Sequence, residues 1–330
     1  NYASKYLWTL PMFHCNGWCF TWATTAVGAT NVCLRRVDPL EVYRLIEEES
    51  VTHMCCAPTV LTSMYSIPDA AQQDLSGVTI MTAGAPPAPQ VIRSMENMGA
   101  HILHTYGLTE TYGPTAICAI QPDWKEKSPA EVANLKARQG VAYVVADTGM
   151  RVVDTEMNDV EKDGSQMGEV VMNGNIVMSG YFNDEDATSE AFEGGWFHSG
   201  DLAVWHPDGY IELKDRAKDI IISGGENISS QEVEKVIMEH DGVLEVSVVG
   251  VPDERWGEVP KAFVVSREGV TVSEEEIVTF TRDRIAHFKA PKYVEFGELP
   301  KTATGKIQKY VLREKEWEGK EKRIQGSSLT

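Results

Sequence analysis

"ATNVCLRRVDPLEVYRLIEEESVTHMCCAP", Ala29 to Pro58, decides the fold class. "ATNVCLRRV" reads as a strand. "DPLEVYRLIEEES" follows as a helix, with Asp38 as N-cap, Pro39 in the first turn and Glu41 completing a capping box. "VTHMCCAP" is a strand again. The alternation continues downstream. "TVLTSMYS" reads as a helix, "VTIMTAGAPP" as a strand running into a tight turn, "APQVIRSMENMG" as a helix, and "HILHTYGLTE" as a strand ending in a loop. A β-α-β-α rhythm predicts an α/β fold, with a mostly parallel sheet covered by helices. Ligands of such sheets bind beyond the carboxyl ends of the strands. "TAGAPP" and "TYGLTET" are both placed there.

From about Gly140 to Lys214 short strands alternate with Gly/Asn/Asp turns, in "GEVVMNGN", "GWFHSGDLA" and "DGYIELKD", which predicts a smaller β-rich lobe. After Arg216 the pattern changes again. "KDIIISGG" reads as a strand. Ser229 with Glu232 and Ser273 with Glu276 read as capping boxes for "SQEVEKVIMEH" and "EEEIVTFTRDRIAHF". "VLEVSVVGV", "KAFVVSRE" and a last strand "KYVEFGELP" complete a small α+β domain of roughly a hundred residues, a viable size. The boundary is placed in "KDRAKD", dividing residues 1–215 from 216–330.

The 330 residues carry a net charge of -19 and a pI of about 4.8, against non-specific binding to nucleic acid or an anionic membrane. An anionic ligand therefore needs local groups that bind it against the overall field. The six cysteines lie in the first part of the chain without C-x-x-C or zinc spacing, so buried free thiols are expected. No apolar run is long enough to span a membrane and no signal peptide is visible.

Several stretches carry chemistry. In "YGLTET" the ring of Tyr106 can stack on a base, Gly107 lets the backbone approach closely, Thr109 can hydrogen-bond phosphate, and Glu110 is an oxygen ligand suited to Mg²⁺. The plain alternative is a strand-end turn with a capping threonine. Gly84, Ala85 and Pro86 have no bulky side chains, so a flat base can lie against their backbone; they equally suit a strand-to-helix turn. "LPKTATGKIQK", Leu299 to Lys309, resembles a phosphate loop at first sight. It is not one: Pro300 stands where the first glycine belongs and Ile307 where the hydroxyl belongs. Lys306 taken alone reads as a solvated surface lysine.

Taken together and in order, "PMFHCNGW", "TAGAPP", "YGLTET", "WFHSGDLA", "DRAKDIIISGGENISSQEVE" and "LPKTATGKIQK" resemble the adenylate-forming, AMP-binding superfamily. The resemblance covers Tyr6 to Arg313 and is greatest to acyl-activating acyl-CoA ligases of short- and medium-chain acids. It implies that residues 1–215 are the C-terminal part of a large AMP-binding domain and 216–330 a small mobile one. The implied reaction uses ATP with Mg²⁺, forms an acyl-adenylate, and passes the acyl group to coenzyme A with release of AMP. By resemblance, Asp201 and Arg216 clamp the sugar, Lys218 is the hinge, and Gly224 and Gly225 meet the pantetheine arm of coenzyme A. A turn aspartate, a surface ion pair with Asp215, a solvated lysine and a strand-to-helix turn with Asn227 and Ser229 capping are the plain alternatives. His14 matches a position beside the acyl and pyrophosphate sites, and equally suits a structural histidine. Lys306 becomes the mobile cation between two anionic reactants.

The resemblance also leads one to expect a Ser/Thr/Gly-rich loop of the type T-S-G-T-T-G-x-P-K ahead of "PMFHCNGW". Residues 1–13 hold nothing of that kind, so the sequence reads as a fragment or a truncated product. Poor solubility of such a piece is expected from its open sheet. A benzoate- or cinnamate-type aryl-CoA ligase, a peptide-synthetase adenylation domain and a non-catalytic nucleotide-binding remnant are the other readings. The polar end "EKRIQGSSLT" lacks an S-K-L tripeptide, which leaves cytoplasm and peroxisome both open. The oligomeric state is not legible.

Overall fold

A computed structural model describes residues 4–143, 149–302 and 305–319. Seven strands form the first sheet: β1 (Lys5–Trp8), β2 (Thr30–Cys33), β3 (His53–Cys56), β4 (Thr79–Thr82), β5 (His101–Leu108), β6 (Gly113–Ile117) and β7 (Val141–Ala142), in the order β2-β1-β3-β4-β5-β6-β7. β1 to β5 pair in parallel, as the alternation with helices predicts. The period of two along a strand then sorts the side chains by face. Leu7, Met54, Ile80 and Ile102 enter one core with Val42, Ile46, Leu61, Ile92 and Met95 of the covering helices. Tyr6, Trp8 and Cys55 face the other way, into a second cluster with Trp18 and Ala83.

The helix Pro39–Glu49 begins as its sequence dictates. The Asp38 carboxylate accepts from the Leu40 and Glu41 N–H groups, and Pro39 starts the first turn. The capping box is not completed, because Glu41 turns outward to Arg44 at 2.6 Å. Ser229 and Ser273 likewise cap their helices, while Glu232 pairs with Lys289 and Glu276 with His240. In each case an available cation or ring N–H competes for the carboxylate. Both halves of a box do form at Ser128 and Glu131.

At β5 the structure departs from the expected loop. Tyr106, Gly107 and Leu108 stay in the strand and pair antiparallel with β6, with a register irregularity between Tyr106 and Gly107. The reason is steric. A Cβ on Gly107 would lie 2.0 Å from the Gly113 carbonyl oxygen and 2.8 Å from Pro114 Cα. Only glycine lets the two backbones close at this turn.

A second sheet has the order β11-β10-β9-β8, built from β8 (Gly149–Val153), β9 (Met167–Asn173), β10 (Phe197–Trp205) and β11 (Ile211–Arg216). A third contains β12 (Ile221–Ser223), β13 (Glu226–Ile228), β14 (Val243–Asp253), β15 (Gly257–Ser266) and β16 (Tyr293–Phe296), ordered β13-β12-β15-β14, with β16 parallel to β15. The helices Ser230–Ile237 and Glu274–Arg282 contribute Val233, Ile237 and Ile277 to its core. By compactness the chain forms one unit of residues 1–199 with 204–213, and another of 200–203 with 214–330.

Two expectations change here. Gly224 and Gly225 do not lead from strand to helix. They form the tip of the β12–β13 hairpin, with φ of 61° and 89°, and Asn227 lies in β13 rather than in a cap. Positive φ at both central residues is what a two-residue primed turn requires, and glycine supplies it. The cysteines are all free, but only Cys55, Cys56 and Cys118 are buried; Cys33 is exposed and Cys15 and Cys19 are partly so. The tail "EKRIQGSSLT" and residues Ala303 and Thr304 lie outside the described residues. No helix among the described residues is long and apolar enough to cross a membrane.

The β5–β6 contact yields a direct test. Gly107→Ala is expected to lower unfolding free energy by about 2 kcal/mol, the range for forced overpacking, in urea denaturation. An unchanged midpoint contradicts the steric explanation.

Candidate active site

The ends of β4 and β5 carry the first group of candidates. After Thr82 the chain turns through Gly84, whose φ is 90°, and Gly84, Ala85 and Pro86 are exposed. A Cβ built on Gly84 meets nothing within 4 Å, so open space lies against this backbone. Tyr106 is 7% exposed, so its ring is mostly enclosed by the protein. Thr109 and Glu110 start a short 3-10 turn directly after β5. Thr109, Glu110 and Tyr112 line an open cleft of about 450 Å³ with Asn175, Ile176 and Met178.

Two other segments fix this turn. Met178 N–H donates to the Glu110 carbonyl at 2.7 Å, and the Tyr181 hydroxyl donates to Glu110 Oε1 at 3.2 Å. Across from them, Cys15 Sγ lies 3.3 Å from Thr109 Oγ1, and the Cys19 thiol donates to the Tyr112 carbonyl at 2.9 Å. Burial and the neighbouring Cys15 raise the Cys19 pKa, which keeps the thiol a donor. Cys15 to Cys19 all have positive φ, forming a left-handed turn directly after His14. Such backbone costs about 1–2 kcal/mol for each non-glycine residue and persists only where its surroundings over-determine it. Here Trp18 is buried, and a Cβ at Gly17 would strike Trp8 at 2.5 Å. His14 itself is partly buried at the start of the turn.

The second group lies in the second unit. Asp201 is 5% exposed, and the Arg216 Nε stands 3.4 Å from its Oδ1. Lys306 belongs to the same charged neighbourhood. It is exposed at its surface, yet crowding around the ammonium, followed by repulsion from Arg216, lowers its pKa, while Asp201 and Asp219 pull the other way. Its loop is closed by its own backbone. Thr302 N–H donates to the Lys306 carbonyl at 2.8 Å, Lys306 N–H donates to Thr302 Oγ1 at 3.1 Å, and Lys301 bridges Ile307. The structure thus brings Asp201, Arg216 and Lys306 together. Gly224 packs against Trp256, and a Cβ there would lie 2.7 Å from that ring, whereas Gly225 faces open space.

Lys218 sits in a short 3-10 turn, Ala217–Asp219, held by Arg313. Arg313 donates to the Lys218 carbonyl at 3.2 Å and pairs with Asp219. Sequence reasoning missed Arg313, and it missed Lys309. Lys309 starts the helix Lys309–Trp317, which the sequence reading does not assign. Its ammonium donates to Ser230 Oγ at 2.6 Å and lies 2.8 Å from Glu234, while Ser230 N–H donates to Asp215 at 2.6 Å. Burial opposes the charge on Lys309, but Glu234 and Asp215 outweigh it and raise the pKa. This network joins Asp215, next to Arg216, to the helix that follows Lys306. Only the "KIQK" spacing hinted at a second lysine of interest, and nothing in it signals burial.

Glu110, Thr109 and Asn175 line the same cleft and carry oxygen donors of the kind Mg²⁺ takes. Among the described residues no cluster of three or more His, Cys, Asp or Glu could hold a metal by itself.

Residues 1–182 match the model of the AMP-binding enzyme family, and residues 232–306 that of the AMP-binding enzyme C-terminal domain. The chain therefore belongs to the family of AMP-binding enzymes. It is 54% identical over 323 residues to an acetate–CoA ligase of Humulus lupulus, covering 96% of this chain and 57% of that protein. It is 53% identical over 311 residues to 4-hydroxybutyrate–CoA ligase 2 of Metallosphaera sedula, covering 94% and 56%. A trans-cinnamate:CoA ligase of Petunia hybrida is 46% identical over 311 residues, with 94% and 55% covered. The chain thus spans little more than half the length of these relatives. Among solved structures, the amide bond synthetase McbA from Marinactinospora thermotolerans superposes with a TM-score of 0.82 at 30% identity, over 94% of this chain and 62% of that one.

The charge environment of Lys306 is testable by pH-dependent labelling with acetic anhydride. Lys306 should titrate below the ordinary lysine value of 10.5, because crowding around its ammonium and repulsion from Arg216 both disfavour the charged form. Arg216→Gln removes one repulsion and should move that titration upward. No movement, or a downward one, contradicts the arrangement.

Proposed function

We propose that this chain serves an acyl-CoA ligase that activates a short- or medium-chain carboxylic acid with ATP and transfers it to coenzyme A. In the first step a carboxylate oxygen bonds to the α-phosphorus, the bond to the pyrophosphate oxygen breaks, and pyrophosphate leaves. In the second the sulfur of coenzyme A attacks the acyl carbonyl, AMP leaves, and the thiol proton is released.

The observation that carries this reading is the grouping of Asp201, Arg216 and Lys306. A carboxylate accepts both hydroxyls of a ribose, and guanidinium offers a fixed fork of donors beside it. Lys306 adds a compact cation where the acid and the α-phosphate would otherwise repel. On this reading Gly84, Ala85, Pro86, Tyr106 and Gly107 border the base, Thr109 meets phosphate, and His14 stands by the acyl and pyrophosphate sites. Glu110 would hold Mg²⁺, which when bound offsets phosphate charge. Gly225 leaves open space for pantetheine, and Gly224, packed on Trp256, shapes the hairpin tip that meets it. Residues 216–330 act as the mobile domain about Lys218.

The acetate– and 4-hydroxybutyrate–CoA ligases among the relatives support an aliphatic acid. A second reading, an aryl-CoA ligase, is supported by the trans-cinnamate:CoA ligase at 46% identity. Some relatives are named peroxisomal, including an acetate/butyrate–CoA ligase of Arabidopsis thaliana, so that compartment and the cytoplasm are the two proposed.

The test separates the half-reactions in the full-length protein. With an acid panel, ATP and coenzyme A, AMP and one acyl-CoA should appear; an aryl product alone would select the second reading. Lys306→Ala should slow acyl-adenylate formation about 100-fold or more, the scale for losing a group aimed at developing charge. Thioester formation from supplied acyl-adenylate should change far less. Equal losses in both halves contradict the role of Lys306, and no AMP from any acid contradicts the ligase reading.

A further inference from the structure

The turn carrying Glu110 is held by a segment that no motif reading used. After β9 the chain runs from Gly174 to Phe182, and it grips Glu110 at both ends. Met178 N–H donates to the Glu110 carbonyl at 2.7 Å, and the Tyr181 hydroxyl donates to Glu110 Oε1 at 3.2 Å. Tyr181 is itself anchored. Its backbone N–H donates to Thr188 Oγ1 at 2.9 Å, and that hydroxyl donates to the Asp184 carbonyl at 2.7 Å, inside the capped first turn of the helix Glu185–Ala191. Gly180, at φ 154°, presses so closely on Thr188 that a Cβ would lie 2.8 Å from Thr188 Cγ2. The tyrosine ring therefore leaves a fixed backbone, not a free loop.

A glutamate side chain has three rotatable bonds and loses substantial freedom when it is fixed. A donor that already holds one carboxylate oxygen removes that loss from cation binding and leaves the second oxygen to bind. We propose that Tyr181 is a positioning residue: its hydroxyl orients the Glu110 carboxylate toward the cation that accompanies the nucleotide phosphates. This rests on the reading of Glu110 as the Mg²⁺ ligand. It adds the residue that sets how tightly the cation is held.

The expected size follows from residues that orient metal ligands, whose loss typically weakens binding about 10- to 100-fold. Tyr181 is 40% exposed, and Tyr181→Phe removes only the hydroxyl, so folding is not at stake. The experiment uses the full-length protein with Mn²⁺ as probe, in the presence of a non-hydrolysable ATP analogue, and follows free Mn²⁺ by electron paramagnetic resonance. AMP affinity is measured separately by calorimetry in excess chelator.

Tyr181→Phe should weaken Mn²⁺ binding roughly tenfold, at the lower end of that range, with AMP affinity unchanged. Glu110→Gln should weaken Mn²⁺ binding further. If Glu110→Gln loses Mn²⁺ while Tyr181→Phe does not, the positioning role is overturned and the Glu110 reading stands. If Glu110→Gln leaves Mn²⁺ binding intact, the Glu110 reading fails and the Tyr181 role with it. Equal losses of Mn²⁺ and AMP in Tyr181→Phe would make the contact a general support of the fold, which also overturns the proposal.

Discussion

The approach of Gly107 to Gly113 is the constraint on which the candidate site of the first unit depends. A parallel sheet built from β-α units would end β5 in a loop. Here the backbone closes so tightly on β6 that the Gly113 carbonyl oxygen fills the place of a Cβ. The strand therefore continues, reverses within a few residues, and presents Thr109 and Glu110 on a short turn with little freedom of its own. The rest of the neighbourhood is arranged to hold that turn. The left-handed Cys15–Cys19 segment reaches it through two thiols, and the Met178–Tyr181 segment reaches it through a carbonyl and a carboxylate. Strained backbone on one side and a capped short helix on the other fit a site where geometry matters more than stability.

Electrostatics set the second unit. A chain with a net charge of -19 repels nucleotides at long range, so affinity for them must come from cations fixed at short range. On the proposed reading Arg216 and Lys306 are such cations. Their mutual repulsion is tolerated because Asp201 and Asp219 stand among them and because a buried network supports both segments. Lys309, Ser230, Glu234 and Asp215 form that network, which ties the residue before Arg216 to the helix following Lys306. Breaking one partner of the largely enclosed Lys309–Glu234 pair leaves the other charge poorly compensated. Proximity of the two segments is therefore a property of the folded unit.

Features that depend on neighbours in sequence were legible beforehand. Asp38 and Pro39 announce their helix because cap and proline act within one turn, and the strand–helix alternation gives the parallel sheet. The boxes assigned to Glu41, Glu232 and Glu276 do not close, because Arg44, Lys289 and His240 compete for those carboxylates. Gly224 and Gly225 fit a strand-to-helix turn and a hairpin equally well until pairing of Ile221 with Ile228 decides. The ordered motifs single out Asp201, Arg216 and Lys306 as candidates, and the structure adds their proximity. Tyr181 escaped notice because its partner is 71 residues away, and Lys309 because burial leaves no mark on a lysine.

The grouped aspartate, arginine and lysine are proposed to serve acyl-adenylate chemistry and not nucleotide binding alone. Exchange of labelled pyrophosphate into ATP, with no coenzyme A present, reads that chemistry directly in the full-length protein. Exchange is expected only when a suitable carboxylic acid is supplied. AMP binding accompanied by no exchange with any acid would contradict that role.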